Sequence, residues 1–149
     1  MIKPEELQPH LDTLTPKDWK PLFELIPIIE SSKEFGTPII SDKLDNGSII
    51  FPYWSESDIV FVTFRAANDL GIILNYDWGA WKEGSEMLQD ENYDYSTLDS
   101  ITLCKLLTII TRKDRFVDGY KILCFKNKSV LKILKSLKYN IKKNTSQNK

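Results

Sequence analysis

Apolar residues three and four positions apart run through most of the chain, and that period predicts helices. Leu7, Leu11 and Leu14 give a first helix over Pro4–Leu14, weakened by Pro9 inside it. Thr15-Pro16-Lys17-Asp18 starts a second: Thr15 caps, Pro16 suits the first helical position, and Asp18 sits at the positive end of the dipole. This helix carries Trp19, Leu22, Phe23, Ile26 and Ile29 on one side. Pro21 falls near its first turn, and Pro27 predicts a kink. Gly36 to Pro52 is irregular. Asp45-Asn46-Gly47 is a turn signal there, and Ile39-Ile40 with Ile49-Ile50-Phe51 fits a short hairpin or an extended loop.

Ser55-Glu56-Ser57-Asp58 opens a helix to Leu70, which Gly71 stops in the left-handed conformation. Ile59 to Phe64 also fits a strand, but Arg65 to Asp69 breaks the two-residue period. Ile72 to Leu74 is a short extended piece, and Asp77 caps a helix beginning at Trp78. Leu98 to Lys113 is the clearest helix; it is apolar on nearly every side and therefore central. Asp114 to Phe125 reads as another, with Phe116, Tyr120, Leu123 and Cys124 inward. Asn127-Lys128-Ser129 is a turn and cap, and Val130 to Ile141 is the last helix, with Val130, Leu134, Leu137 and Ile141 on one face. The expectation is a mainly α, single compact domain of about six helices over residues 1–143, with at most one short β-hairpin and a flexible polar tail at 144–149.

Composition changes this picture little. A chain of 149 residues, 42% hydrophobic, makes one packed domain and leaves no room for separate cofactor and substrate lobes. Charge changes it more. Residues 1–111 hold 8 Lys/Arg against 19 Asp/Glu, a net of -11, while residues 112–149 hold 12 against 2, a net of +10. Such a split suits an acidic partner or nucleic acid at one end, or simple neutralisation within the fold. The joint richness in Lys, Asn and Ile, typical of AT-rich coding, also supplies lysines. Cys104 and Cys124 lie in apolar runs as free buried thiols. The N-terminus has no apolar core of a secretory signal. The longest apolar stretch, Ile59 to Leu74, is interrupted by Arg65, Asn68 and Asp69. A cytoplasmic protein with no membrane span is expected.

Three constellations carry candidate chemistry. Arg112, Asp114 and Arg115 sit at a tight junction between helices. They form either an anion-binding pair, since guanidinium forks match carboxylate and phosphate, or an ion-paired staple. The staple takes precedence because a semi-buried Arg must be paired, so a bridge from at least one arginine to Asp77, Asp114 or Asp118 is expected. Asp77, Trp78 and Trp81 form an aromatic wall beside a carboxylate, or two core rings and a cap. Lys128, Lys132, Lys135, Lys138 and Lys142 recur along the last helix, as a phosphate-binding stripe or a solvated face. His10 is the single histidine, and Gly71, Gly79 and Gly84 are isolated. No catalytic residue, cofactor motif or metal-ligand set is therefore assigned.

The segment Leu106-Leu107-Thr108-Ile109-Ile110-Thr111-Arg112-Lys113-Asp114-Arg115-Phe116-Val117-Asp118-Gly119 resembles the "LLTxxxRxDRFxxG" signature of an uncharacterised bacterial family, domain of unknown function 6508. Phe51-Pro52-Tyr53 resembles its "FPY" step, and Tyr76-Asp77-Trp78-Gly79-Ala80-Trp81 its "FDWxxW" element, with Tyr76 in place of Phe. Val130 to Leu137 resembles its closing helix, and the family's Gly near Asn127-Lys128 is absent. The resemblance spans roughly Phe51 to Leu137 and implies kinship without an activity.

Two function classes remain. The first is a binding or interaction module that meets another protein or a second copy of itself, with nucleic acid as a further partner through the basic C-terminal helix. The alternative is a small enzyme whose pocket joins Asp77, Trp81, Arg112 and Arg115.

Overall fold

Pro4 opens α1 (Pro4–Thr13), where the Lys3 backbone N–H donates to Glu6 Oε1 at 3.1 Å. The computed structural model describes residues 1–40, 42–43, 46–50 and 52–147. Leu7 and Leu11 bury one face of α1, and His10 Nε2 donates to the Leu70 carbonyl at 2.6 Å, so the single histidine is a helix-end clamp. In α2 (Pro16–Phe23) the expected cap is a full capping box: the Thr15 N–H donates to Asp18 Oδ2 at 2.8 Å and the Asp18 N–H to Thr15 Oγ1 at 3.3 Å. The Asp18 carboxyl is held below its ordinary value first by the Thr15 backbone N–H and second by the Thr15 hydroxyl, which donates to Asp18 Oδ2 at 3.0 Å. A depressed carboxyl stabilises the fold above its unfolded-state value, and that contribution fades as pH falls through the folded value. The melting temperature difference between wild type and Asp18→Ala is therefore expected to shrink steadily on acidification from neutral pH toward about pH 2.

The helix does more than kink before Pro27. It breaks at Glu24, and α3 (Leu25–Ser31) restarts at once, because Pro27 offers no N–H to the Phe23 carbonyl and its ring crowds that oxygen. The irregular region holds a strand ribbon made of two antiparallel pairs. β1 (Gly36–Ile39) pairs with β4 (Tyr53–Glu56), and β2 (Asp42–Lys43) with β3 (Ile49–Ile50). Within the turn, the Ser48 N–H donates to Asn46 Oδ1 at 2.9 Å and Gly47 has φ +88°. Asp45 and Phe51, assigned to the turn and its flank, lie outside the described residues. The ribbon corrects one boundary: Ser55 and Glu56 belong to β4, not to a helix start. The Ser57 N–H continues the pairing by donating to the Phe35 carbonyl at 3.0 Å, and α4 (Asp58–Leu70) begins only then. Gly71 ends α4 at φ +76°.

Ile72, Ile73 and Leu74 run extended through the core. Their backbone is anchored where the Leu74 N–H donates to Thr108 Oγ1, while the Thr108 hydroxyl donates to the Cys104 carbonyl, both at 2.9 Å. The helix expected at Trp78 is only one 3-10 turn (Trp78–Ala80), and the Asp77 side chain does not cap it. Trp81 leaves helical geometry, and α5 (Lys82–Gln89) starts afresh. The central helix is α6 (Ser100–Lys113), capped by Asp99 Oδ1, which accepts from the Thr102 N–H at 2.7 Å. Every residue from Leu106 to Ile110 is buried. Next, α7 is short (Tyr120–Lys126), not a helix from Asp114. Lys128 then takes φ +69°, the left-handed conformation that a glycine adopts freely, and Asn127 Oδ1 accepts from the Ser129 N–H at 2.9 Å. The final helix, α8 (Ser129–Gln147), packs Val130, Ile133, Leu134 and Leu137 against α6 and continues past Asn144. The protein is mainly α, with eight helices and two short strand pairs among the described residues. None of those helices is long and apolar enough to cross a membrane.

Candidate functional site

The residues between α6 and α7 form a compact double turn. The Arg115 N–H donates to the Arg112 carbonyl at 3.2 Å, and the Phe116 and Val117 N–H groups both donate to the Lys113 carbonyl at 2.9 Å. Asp118-Gly119 then reverses the chain, with Gly119 at φ +80°, so regular helix resumes only at Tyr120. This corrects the expected inward face. Phe116 is 77% exposed and Leu123 52% exposed, and of the expected four only Tyr120 and Cys124 point into the core.

The two aspartates hold this loop by backbone capping. Asp114 Oδ1 accepts from the Lys121 N–H at 2.9 Å, fixing the first turn of α7. Asp118 Oδ2 accepts from the Trp54 N–H at 3.0 Å, tying the loop to β4. Across that tie the Trp54 ring lies so close to Gly119 that a Cβ there would stand 2.6 Å from its Cδ1. Lys126 Nζ sits 4.7 Å from the same ring, and Lys121 Nζ reaches Glu56 on β4 at 3.9 Å. On the loop's other side, the Phe116 ring lies 6.1 Å from that of Trp78.

The expected arginine staple is absent. Among the described residues neither Arg112 nor Arg115 pairs with a carboxylate. Arg112 is half-buried, and its guanidinium contacts the Met1 sulfur; Arg115 is exposed. The physical reason is competition: Asp114 and Asp118 face backbone N–H groups, and Asp77 is exposed and caps nothing. Trp78 joins the arginine motif through Phe116, whereas Trp81 turns elsewhere. Trp81 meets Tyr76 edge-on at 6.5 Å and receives Lys105 Nζ 4.1 Å from its ring. The Tyr76 hydroxyl donates to the Lys105 carbonyl at 2.7 Å, and burial pushes its phenol well above the ordinary value. Lys105 is the one charged residue inside the apolar run from Leu103 to Ile110, and that isolation is the signal by which sequence reasoning could have found this stack.

Lys128, Lys132 and Lys135 come together around a depression of about 640 Å³, with Lys33 and Lys126. Lys132 Nζ donates to the Glu91 carbonyl at 2.8 Å, and Lys135 is ion-paired with Glu30. Lys142 is not among them; with Lys138 it lines a different groove. Asp77, Trp81, Arg112 and Arg115 line none of the four principal depressions among the described residues. Burial raises the Cys104 thiol far above its ordinary value and Cys124 to about 12, which makes poor nucleophiles of both. Among the described residues no three His, Cys, Asp or Glu side chains group to hold a metal.

Residues 14–143 match the model of a family of unknown function, DUF6508. The chain belongs to that family. The match extends the motif resemblance in both directions, taking in α2, α3 and the strand ribbon, so the DUF6508 region covers nearly the whole helical core. No curated protein and no solved structure matches the chain.

Proposed function

We propose that this DUF6508 protein is a non-enzymatic protein-interaction module of the bacterial cytoplasm, and that its contact surface is the Arg115-Phe116-Val117 loop with Trp54. The observation that carries the reading is the exposure of Phe116 on a loop that two carboxylates hold in place. An exposed Phe on a fixed backbone loses little entropy on docking, and aromatic residues and Arg are enriched at the cores of protein interfaces. Val117 and Leu123 are further exposed apolar side chains on the loop and on α7, and Trp54, 37% exposed, lies against Gly119 of the same loop. Arg115 and Lys126 supply positive charge without a carboxylate partner among the described residues, which suits a partner presenting Asp or Glu beside an apolar anchor. Two buried free thiols fit a reducing compartment.

A photo-crosslinking amino acid at position 116, in cells making the protein, tests the reading. One dominant protein adduct is expected from position 116, reduced by Arg115→Ala and absent when the crosslinker replaces exposed Gln8. Equal adducts from both positions, or none from 116, would contradict it.

The five-lysine depression around Lys128, Lys132 and Lys135 supports a second reading, nucleic-acid binding. Mobility shift at two salt concentrations decides it: a shift at low salt that salt abolishes favours it, and no shift at low salt removes it.

A further inference from the structure

The far half of α8 and the start of the chain enclose a second feature, built from other residues. A groove of about 1050 Å³ runs between α2 and α8, with Trp19, Phe23 and Ile141 among its apolar lining. Phe23 is half-buried and stacks at 5.1 Å and 5° on the buried Trp19 ring, so its own ring forms a rigid apolar side of the groove. Cations stand on both walls. Lys17 and Lys20 belong to α2, and Lys138 and Lys142 to α8. Among the described residues the one carboxylate lining the groove is Glu24, already paired with Lys20 at 3.6 Å. Lys17, Lys138 and Lys142 form no ion pair among the described residues.

We propose that this groove binds an acidic amphipathic helix of another protein. The apolar stripe of such a helix fills the floor, and carboxylates on its two flanks meet the lysines on the two walls. The placement of charge selects this occupant. A fatty acid carries one carboxylate at one end and leaves a wall of lysines unmatched. A nucleic-acid strand matches the lysines but brings no apolar stripe for the floor. A second copy of this chain offers acidic α1, yet Leu7 and Leu11 of that helix are already buried in its own core.

Fluorescence anisotropy of a labelled peptide titrated with the full chain tests the proposal. The probe is about 15 residues long, with Leu along one helical face and Glu on both flanks. Saturable binding is expected, weakening with salt and weakening at least about tenfold in Lys17→Glu/Lys142→Glu, because each rim then repels the peptide. Glu24→Gln, which removes the one competing carboxylate, is expected to tighten it. Lys17 and Lys142 are exposed, so circular dichroism of the double variant should match wild type. Absent binding, or equal binding of a scrambled peptide, overturns the proposal. So does displacement of the peptide by submicellar laurate or by phosphatidylglycerol vesicles, or a dimer of the free protein that the double charge reversal dissolves. Crosslinking at position 116 reads a different surface, so either result can fail without the other.

Discussion

Phe125→Ala is expected to cost about 3–5 kcal/mol of folding stability, read as a lower midpoint in urea denaturation. Phe125 on α7 is 1% exposed, and its ring meets Phe35 at 5.2 Å and Phe64 at 6.0 Å. Those three rings join the entry to the strand ribbon, α4 and α7 at one point. Truncation removes the transferred apolar area and leaves a cavity that three separate elements cannot close together. A domain of this size has roughly 5–15 kcal/mol in total, so the variant should unfold near physiological temperature while keeping a cooperative transition. A loss below about 1 kcal/mol would mean that the ribbon and α7 are held by something other than this cluster.

Gly119→Val is expected to be the most damaging change in the candidate site. Its φ of +80° is strained for any β-branched residue, at a cost of about 1–3 kcal/mol. The new side chain must also displace the Trp54 ring, and overpacking adds a cost of the same order. Gly47 separates the two effects. It has φ +88°, and a Cβ at that position would meet nothing within 4 Å, so Gly47→Val should show the backbone strain alone. Denaturation midpoints of both variants, with the Trp54 indole signal followed by nuclear magnetic resonance, check this. Equal losses, with the Trp54 signal unmoved in Gly119→Val, would show that ring and loop are not locked together.

The helices legible in the sequence are those with a clear apolar period, with or without a cap. Thr15-Pro16-Lys17-Asp18 before α2 is such a cap, Gly71 marks the end of α4, and α6 shows by its apolar run alone. The rest is hidden for physical reasons. Helix α5 buries Gly84 beneath Trp81, and a glycine contact adds nothing to a hydrophobic period. Strand β4 has exposed Tyr53, Trp54 and Ser55, so no alternation reveals it. In the candidate site, the arginines, aspartates and tryptophans are visible as residue types, but their partners are not. Asp114 and Asp118 are equally suited to a guanidinium or to a backbone N–H, and only the course of the chain decides between them. Phe116 reads as inward when a helical period is carried through Asp118-Gly119, where the left-handed turn throws the preceding residues outward.

The central claim is that Arg115 and Phe116 are displayed for contact and do not hold the helices together. Equilibrium denaturation of Arg115→Ala/Phe116→Ala tests it most directly, because it needs no knowledge of the partner. With both side chains exposed and Arg115 outside any ion pair among the described residues, the double variant should stay within about 1 kcal/mol of wild type. A loss of about 3–5 kcal/mol, the cost of breaking a buried ion-paired staple, would contradict the claim.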